Sequence, residues 1–475
     1  MHARYFTFLC LLFFSGKLLA QNSFSAAVDK LLQKQEYKNA SVGISIINQS
    51  TGSSVYSLNP NRLLIPASTL KLLTSGTALE MLGADYRFKT KISYTGTISS
   101  GGTLKGNLLV VAGADPTLGS EYFQDHYFDF LKNWAKQVKA AGISNIDGNL
   151  VLDGSIYDSE RVPSTWIWED IGNYYGAGAN AFSIYDNLFR ITFASPRKAG
   201  QATKIINTYP KIDGLTIQNE VLSADNNSDN AYVFGGPYDF SRVIRGTIPK
   251  NRKAFTIKAA IHQPEIILAQ QLLKALRAEG IFVREDIRFE PGDSQKAKLI
   301  YIQESPTLSE ISEVLNHESI NLFAEHFLKQ LAVDKAGFGN RIDGIDLEKE
   351  FWNKKGLHTE KIYIEDGSGL SHFNAVSPAF FTSFLLYMAS NKAFVSSLPV
   401  AGEGTLSRFD NSKFPGMTLQ AKSGSMTRVR CYSGYLTTAN NNSLVFSLMF
   451  NHFAGSHSTL ITEVESLLHE LYLEF

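Results

Sequence analysis

The sequence predicts a mixed α/β (α+β) protein in which one domain is divided by inserted modules. Three observations predict it. The chain has 475 residues, more than one core ordinarily organises, so two or more domains are expected. Both ends carry helix-period and strand-period segments in alternation. Between about residues 89 and 253 the texture changes to short strands separated by turns rich in Gly, Asn and aromatic residues. The expected divisions are 1–20, 21–88, 89–253 and 254–475.

The first division reads as a secretory leader. His2 and Arg4 precede the apolar run Tyr5 to Phe14, which is too short to span a bilayer, and cleavage is expected after Ala20. Cys10 follows Leu9 inside that run, which disfavours a lipoprotein signal. The mature chain then keeps one cysteine, Cys431, so no internal disulfide is expected, and its reading is small filler in a buried strand. No later stretch reads as a transmembrane anchor. Lys+Arg and Asp+Glu are both 45, and without a basic excess or stripe no nucleic-acid partner is expected.

Taken in order, Ala26 to Gln33 reads as an amphipathic helix. Val42 to Asn48 and Ser53 to Leu58 flank Gln49-Ser50-Thr51-Gly52 as a hairpin. Leu70, Leu73, Ala78, Met81 and Leu82 then mark a helix stopped by Gly83. Lys89 to Tyr94 is a strand. Gly106-Asn107-Leu108 and Gly148-Asn149-Leu150 open two similar strands around a helix that holds Trp134 and Val138 and closes at Gly142, a β-α-β crossover with the look of a duplication. Pro264 opens a helix ended by Gly280, and Leu308 to Leu315 and Leu322 to Leu331 are two more. Strands follow at Leu419 to Lys422, Cys431 to Thr437 and Leu444 to Asn451. A last helix carries Leu460, Ile461, Val464, Leu467, Leu468 and Leu471 on one face; its Glu463, Glu465 and Glu470 favour core packing over anionic lipid.

Three motifs carry chemistry. In Pro66-Ala67-Ser68-Thr69-Leu70-Lys71 a helix start places Ser68 in the first turn and Lys71 on the same face. A serine becomes a nucleophile when a neighbour takes its proton, and a lysine can do so once burial or nearby positive charge lowers its pKa. Ser195-Pro196-Arg197-Lys198 repeats the spacing, but Pro196 and two charges argue against a buried helical nucleophile. Ser319-Ile320-Asn321 lies at a helix-helix junction, where a bend can turn both side chains into one cleft. Ser228-Asp229-Asn230 repeats that pattern in a polar loop and reads as a solvated turn. Lys422-Ser423-Gly424-Ser425 follows a strand start. There Lys422 offers charge, Ser423 a hydroxyl, and Gly424 lets a substrate backbone approach. His317 and Glu318 are adjacent without metal spacing, and no metal site is expected.

In this order and these contexts the motifs resemble those of the class C low-molecular-mass penicillin-binding proteins, the D-alanyl-D-alanine carboxypeptidase/endopeptidases. The resemblance covers nearly the whole mature chain. It includes Gly113-Ala114-Asp115-Pro116-Thr117-Leu118, Tyr174-Tyr175-Gly176-Ala177 and Asp366-Gly367-Ser368-Gly369-Leu370-Ser371. It implies a serine β-lactamase/transpeptidase-like domain, an antiparallel sheet flanked by helices, split by insertions. It further implies that Ser68 attacks the peptide carbonyl, Lys71 is the base, Ser319 relays a proton, and Asn321 positions substrate and Lys71. Lys422 and Ser423 hold the terminal carboxylate, beside Gly424. The N–H groups of Ser68 and Ser425 form the oxyanion hole, and Asp366 and Ser368 are loop architecture near the cleft. The implied partners are peptidoglycan and β-lactam antibiotics, with no cofactor, in a periplasmic location. Ser423 stands where threonine is usual, and Ile320 is a departure at the middle of its motif.

Two rivals are weighed. A β-lactamase-type hydrolase needs a Glu-x-x-x-Asn segment to drive deacylation; Glu169-Asp170-Ile171-Gly172-Asn173 has the spacing but precedes Ser319. A non-catalytic β-lactam or peptidoglycan binder would be expected to have lost one of the polar residues, and all are present.

Overall fold

The computed structural model describes residues 23–284, 286–293 and 295–475, and the leader expected over residues 1–20 lies outside them. The two ends of the chain build one five-stranded antiparallel sheet. Its order is Leu419–Met426, Val429–Thr437, Ser443–Asn451, Ser41–Asn48, Ser54–Leu58. Side-chain alternation divides the central strand Ser443–Asn451 between two cores. Leu444, Phe446, Leu448 and Phe450 join the layer of the terminal helices Ser23–Gln33 and His457–Glu474, while Val445 and Met449 join that of helices Leu70–Met81 and Pro378–Met388. All six apolar residues expected on the core face of the last helix are buried. Each contributes roughly 1.5–3 kcal/mol on leaving water, which holds that face against the sheet.

The second layer is completed by Leu308–Glu318, Asn321–Ala336 and Arg341–Lys354. Periodicity predicted neither Arg341–Lys354 nor Pro378–Met388. Helix Leu70–Met81 is buried all round from Leu70 to Leu79, so the residue at its N-terminal end is set by packing on every side.

Among the described residues the insertion holds four sheets. A five-stranded sheet runs Ile287–Phe289, Leu150–Asp153, Leu108–Val111, Lys89–Tyr94, Lys298–Glu304, and a four-stranded one runs Phe282–Val283, Asn145–Asp147, Thr103–Lys105, Thr97–Ile98. Three strand pairs repeat here: Thr103–Lys105 with Leu108–Val111, Asn145–Asp147 with Leu150–Asp153, and Phe282–Val283 with Ile287–Phe289. In each, the first member joins the smaller sheet and the second the larger, all in parallel. The duplication seen in sequence is therefore a triplication. The two Gly-Asn pairs stack: Asn107 Oδ1 accepts from Asn149 N at 2.9 Å, and a Cβ on Gly148 would come within 2.2 Å of the Gly106 carbonyl oxygen. Helices Phe130–Ala140 and Pro264–Ala278 precede the second and third pairs and share their core through Trp134, Val138, Leu272 and Leu276. Two three-stranded sheets complete the insertion, Lys204–Tyr209 with Leu188–Ala194 and Phe255–Ala260, and Thr216–Ala224 with Ser241–Pro249 and Asn230–Phe234.

The strand pairing corrects the expected boundary at 253. Phe255–Ala260 pairs with Leu188–Ala194, and Lys298–Glu304 pairs with Lys89–Tyr94, so the insertion's own sheets extend to Glu304. Helix Pro264–Ala278 was misassigned because its period resembles that of the flanking domain, although its apolar face serves the insertion's core. The chain enters and leaves at one place: Ser305 N donates to the Phe88 carbonyl at 3.0 Å, and Phe88 N donates to Ser305 Oγ at 3.0 Å.

Candidate active site

Ser68 lies in the 3-10 turn Ala67–Thr69, one step ahead of helix Leu70–Met81. Ala67 takes a positive φ of 46°, a costly conformation for a residue with a Cβ. It is held there from outside: Gly369, itself at φ 81°, packs so closely that a Cβ would stand 2.0 Å from the Ala67 carbonyl oxygen. Lys71, one turn on, is fully buried. Its Nζ lies 3.1 Å from Ser68 Oγ, 2.5 Å from Asn321 Oδ1 and 2.7 Å from the Ser368 carbonyl oxygen.

Asn321 reaches this point because the chain breaks between two helices. Ser319 ends Leu308–Glu318 in the left-handed region (φ 60°, ψ 43°), Ile320 is extended, and Asn321 opens the next helix. Two residues that would point apart on a continuous helix are thereby turned toward neighbouring lysines. Ser319 Oγ accepts from Lys422 Nζ at 2.9 Å. Asn321 Nδ2 donates to the Tyr175 carbonyl at 2.7 Å, a contact supplied by the insertion.

Strand Leu419–Met426 is the outer strand of its sheet and passes the turn that holds Ser68. A Cβ on Gly424 would lie 2.6 Å from the Pro66 carbonyl oxygen and 2.9 Å from both Ser68 N and Thr69 N. Only a residue without a side chain fits that approach. Ser423 Oγ donates to the Thr405 carbonyl at 3.1 Å, and Ser425 is exposed beyond it. The three expected motifs, Ser68 with Lys71, Ser319 with Asn321, and Lys422 to Ser425, thus meet at one place.

Burial takes Lys71 down to about 7, and the carboxylates of Asp366 and Glu325 resist a further fall. Lys422 is held well below its ordinary range by burial first, then by the charge of Lys71 and that of Arg430. Of the two causes expected to lower a lysine here, burial and nearby positive charge, burial is the one that acts on Lys71.

Several groups outside the three motifs support them. Glu325 is buried one turn along from Asn321, and its two carboxylate oxygens accept from Ser368 N at 2.8 Å and Gly367 N at 3.2 Å. It thereby fixes the carbonyl that Lys71 meets, and its own pKa is raised by burial and then by Asp366. Thr74 Oγ1 donates to the Gly367 carbonyl at 2.7 Å. Buried Asp366 accepts from Gly369 N, Ser371 N, Asn374 Nδ2 and Trp166 Nε1. Asp366 thus holds its own loop together, and within that loop the Ser368 carbonyl is in direct contact with the lysine. An Asn-x-x-x-Glu spacing was the available signal for Glu325; nothing in the letters marks the carbonyls of Ser368 and Tyr175.

The alternative matches lie elsewhere. Ser195 Oγ donates to the Pro249 carbonyl at 2.6 Å within the insertion. Ser228-Asp229-Asn230 is an exposed turn leading into strand Asn230–Phe234. Glu169 is exposed on the short helix Trp168–Ile171. Cys431 is fully buried, with its thiol pushed up to about 12 by burial.

The family model described as the D-Ala-D-Ala carboxypeptidase 3 (S13) family matches residues 24–470. A D-alanyl-D-alanine carboxypeptidase from Actinomadura sp. (strain R39) is 27% identical over 449 residues, 90% of this chain and 81% of the relative. The crystal structure of penicillin binding protein 4 from Haemophilus influenzae superimposes with a TM-score of 0.81 at 24% identity, covering 95% of this chain and 99% of the other. The same protein complexed with a β-lactam gives 0.78 at 24% identity, over 94% and 99%.

Proposed function

The chain belongs to the D-Ala-D-Ala carboxypeptidase 3 (S13) family, and from that membership we propose how its residues act. It is a serine-type D-alanyl-D-alanine carboxypeptidase. The observation that carries the assignment of roles is the convergence of Ser68, Lys71 and Asn321 with Ser319 and Lys422 on one cleft.

Lys71, with its pKa at about 7, is neutral in a large fraction of molecules near neutral pH. It takes the proton of Ser68 Oγ as that oxygen attacks the carbonyl of the penultimate D-Ala. The negative oxygen that develops is held by the N–H groups of Ser68 and Ser425; such donors lower a barrier by roughly 3–4 kcal/mol each. The approach of Gly424 to Ser68 N supports that placement. Ser319, hydrogen-bonded to Lys422, passes a proton to the leaving amine. Two buried lysines cannot both stay charged at low cost, so one proton shared between them serves base and carboxylate binder in turn. A substrate carboxylate draws charge onto Lys422, leaving Lys71 neutral, and the Ser423 hydroxyl completes the carboxylate site. Water then releases the acyl-enzyme.

The substrate is the stem peptide of peptidoglycan, and endopeptidase cleavage of cross-links belongs to the same chemistry. β-Lactams acylate Ser68, a reading supported by the β-lactam complex of the Haemophilus influenzae relative. The leader at residues 1–20 directs the chain to the periplasm. Among the described residues no helix is long and apolar enough to cross a membrane.

Intact-protein mass after exposure to a labelled penicillin tests the assignment. The wild type and Ser195→Ala gain one adduct; Ser68→Ala gains none while keeping its fold. After removal of excess penicillin the adduct persists, and Glu169→Gln leaves peptide hydrolysis within roughly fivefold. Adduct loss within seconds that Glu169→Gln strongly slows would establish a β-lactamase instead.

A further inference from the structure

Beside the cleft the insertion turns an aromatic face to solvent that the reaction above does not use. Trp168 begins the short helix Trp168–Ile171 and is 60% exposed. Its ring centroid lies 5.0 Å from that of Phe234. Strand Asn230–Phe234 alternates, so Val233 is buried and Tyr232 points outward, 41% exposed. Opposite Tyr232 on the next strand, Arg245 holds its guanidinium 5.9 Å from the centre of the Phe234 ring. Tyr174, 58% exposed, extends the face toward the cleft.

These rings are fixed in place. The Asn173 side chain accepts from Val233 N at 3.0 Å, and Gly172 lies so close to the Val233 carbonyl that a Cβ would stand 2.0 Å from its oxygen. The segment carrying Trp168 and Tyr174 is therefore pinned to the strand carrying Tyr232 and Phe234. The face is also continuous with the active site. Tyr174 packs edge-on against Tyr175, with centroids 5.2 Å apart, and the Tyr175 carbonyl holds the Asn321 amide.

Large exposed aromatic clusters mark binding surfaces. Rings that present a flat apolar face beside Arg and Tyr polar groups suit a ligand with an apolar face and a polar rim. A pyranose ring is such a ligand, with axial C–H groups on its face and hydroxyl and acetamido groups at its edge. In the substrate, an extended peptide advances roughly 3.3–3.6 Å per residue, so the four residues from the sugar to the scissile bond span roughly 14 Å. A site continuous with the cleft is where the sugar of a bound stem peptide arrives.

We propose that the face formed by Trp168, Tyr174, Tyr232, Phe234 and Arg245 binds the N-acetylated sugars of the glycan strand whose stem peptide occupies the Ser68 cleft. The proposal rests on the carboxypeptidase reading and adds to it a second substrate element. It makes the insertion part of substrate recognition and predicts that a glycan-linked peptide is preferred over a free one.

The test compares Trp168→Ala/Tyr232→Ala with the wild type on two substrates, a free D-Ala-D-Ala pentapeptide and the same pentapeptide on a soluble tetrasaccharide of N-acetylated sugars. On the glycan-linked substrate the variant should raise KM roughly tenfold with kcat unchanged. The free pentapeptide and penicillin labelling should be unaffected. Separately, isothermal titration calorimetry should detect binding of the peptide-free glycan tetrasaccharide by Ser68→Ala but not by Ser68→Ala/Trp168→Ala/Tyr232→Ala. Equal losses on both substrates, unchanged kinetics on both, or absence of glycan binding by Ser68→Ala would each overturn the proposal. So would a dimer in sedimentation that the double substitution dissociates, since the face would then bind a second copy. Failure of the wild type to release D-Ala from the free pentapeptide would overturn the carboxypeptidase reading itself.

Discussion

Lys71 is a buried amine whose burial makes its charged form costly. Its folded pKa of about 7 lies below the ordinary 10.5. Between those values the unfolded chain binds more protons than the folded one, so the wild type gains stability as pH rises through that window. Below it both states are protonated and the cost of burial is constant. Lys71→Met should lack this rise. Urea unfolding at about pH 6.5 and 9.5 should show a wild-type gain exceeding the variant's by roughly 3 kcal/mol; parallel pH dependences would mean that the ammonium is not desolvated. Glu325 acts on the same group. Removing its negative charge in Glu325→Gln should move the alkaline-rising limb of penicillin acylation below pH 7 and slow the plateau rate, because Ser368 loses part of its hold. An unmoved limb would leave Glu325 a purely structural role. That Lys71 meets Ser68 and Asn321, and Ser319 meets Lys422, was legible because each motif is a set of particular side chains at particular spacings. Ser368 and Tyr175 were legible only as members of the segments 366–371 and 174–177, not in their contacts, because each contributes a carbonyl, which every residue has. Glu325 escaped for a related reason: its partners are two backbone N–H groups.

At the scale of elements, the strands of the catalytic sheet were readable from their apolar runs, and the junction at Ser319 from its place between two helices. Helix Pro378–Met388 was missed because it is apolar nearly all round, with Phe380, Phe381, Phe384, Leu385 and Met388 buried, and so has no polar face to reveal a period. Helix Arg341–Lys354 was missed for the opposite reason: it is largely polar and carries Gly344, which fits because a Cβ there would come within 2.3 Å of the Leu328 carbonyl oxygen. The same close packing governs the outer strand of the catalytic sheet. Gly424→Ala forces a methyl group against the Pro66 carbonyl and the Ser68 and Thr69 amides, so strand or turn must retreat. Acylation should fall by roughly a hundredfold or more for a displacement near 1 Å, with far-ultraviolet circular dichroism unchanged. Wild-type acylation in this variant would show that the approach is not tight.

Across the whole molecule, the expectation of a divided domain came from texture, but texture could not locate its end. A helix reports its own amphipathicity, not which core it faces, and Pro264–Ala278 faces the insertion. The joint at Phe88 and Ser305 is buried, whereas residues 225–229 and 251–254 lie in turns inside the insertion and are mostly exposed. Limited proteolysis should therefore nick those turns first and spare the joint; early cleavage at 86–89 or 304–308 would mean that the joint opens readily.

The pairing of Ser41–Asn48 with Ser443–Asn451 also sets an order in time. The central sheet cannot close until its last strands exist, some 400 residues after its first, an interval of tens of seconds at roughly 5–20 residues per second of synthesis. Asn321, the partner of Lys71, is separated from it by 250 residues. A growing chain therefore carries Ser68 and Lys71 long before it carries Asn321 and Lys422, and a prematurely ended one never brings them together. The connectivity makes completion of the polypeptide a condition of activity.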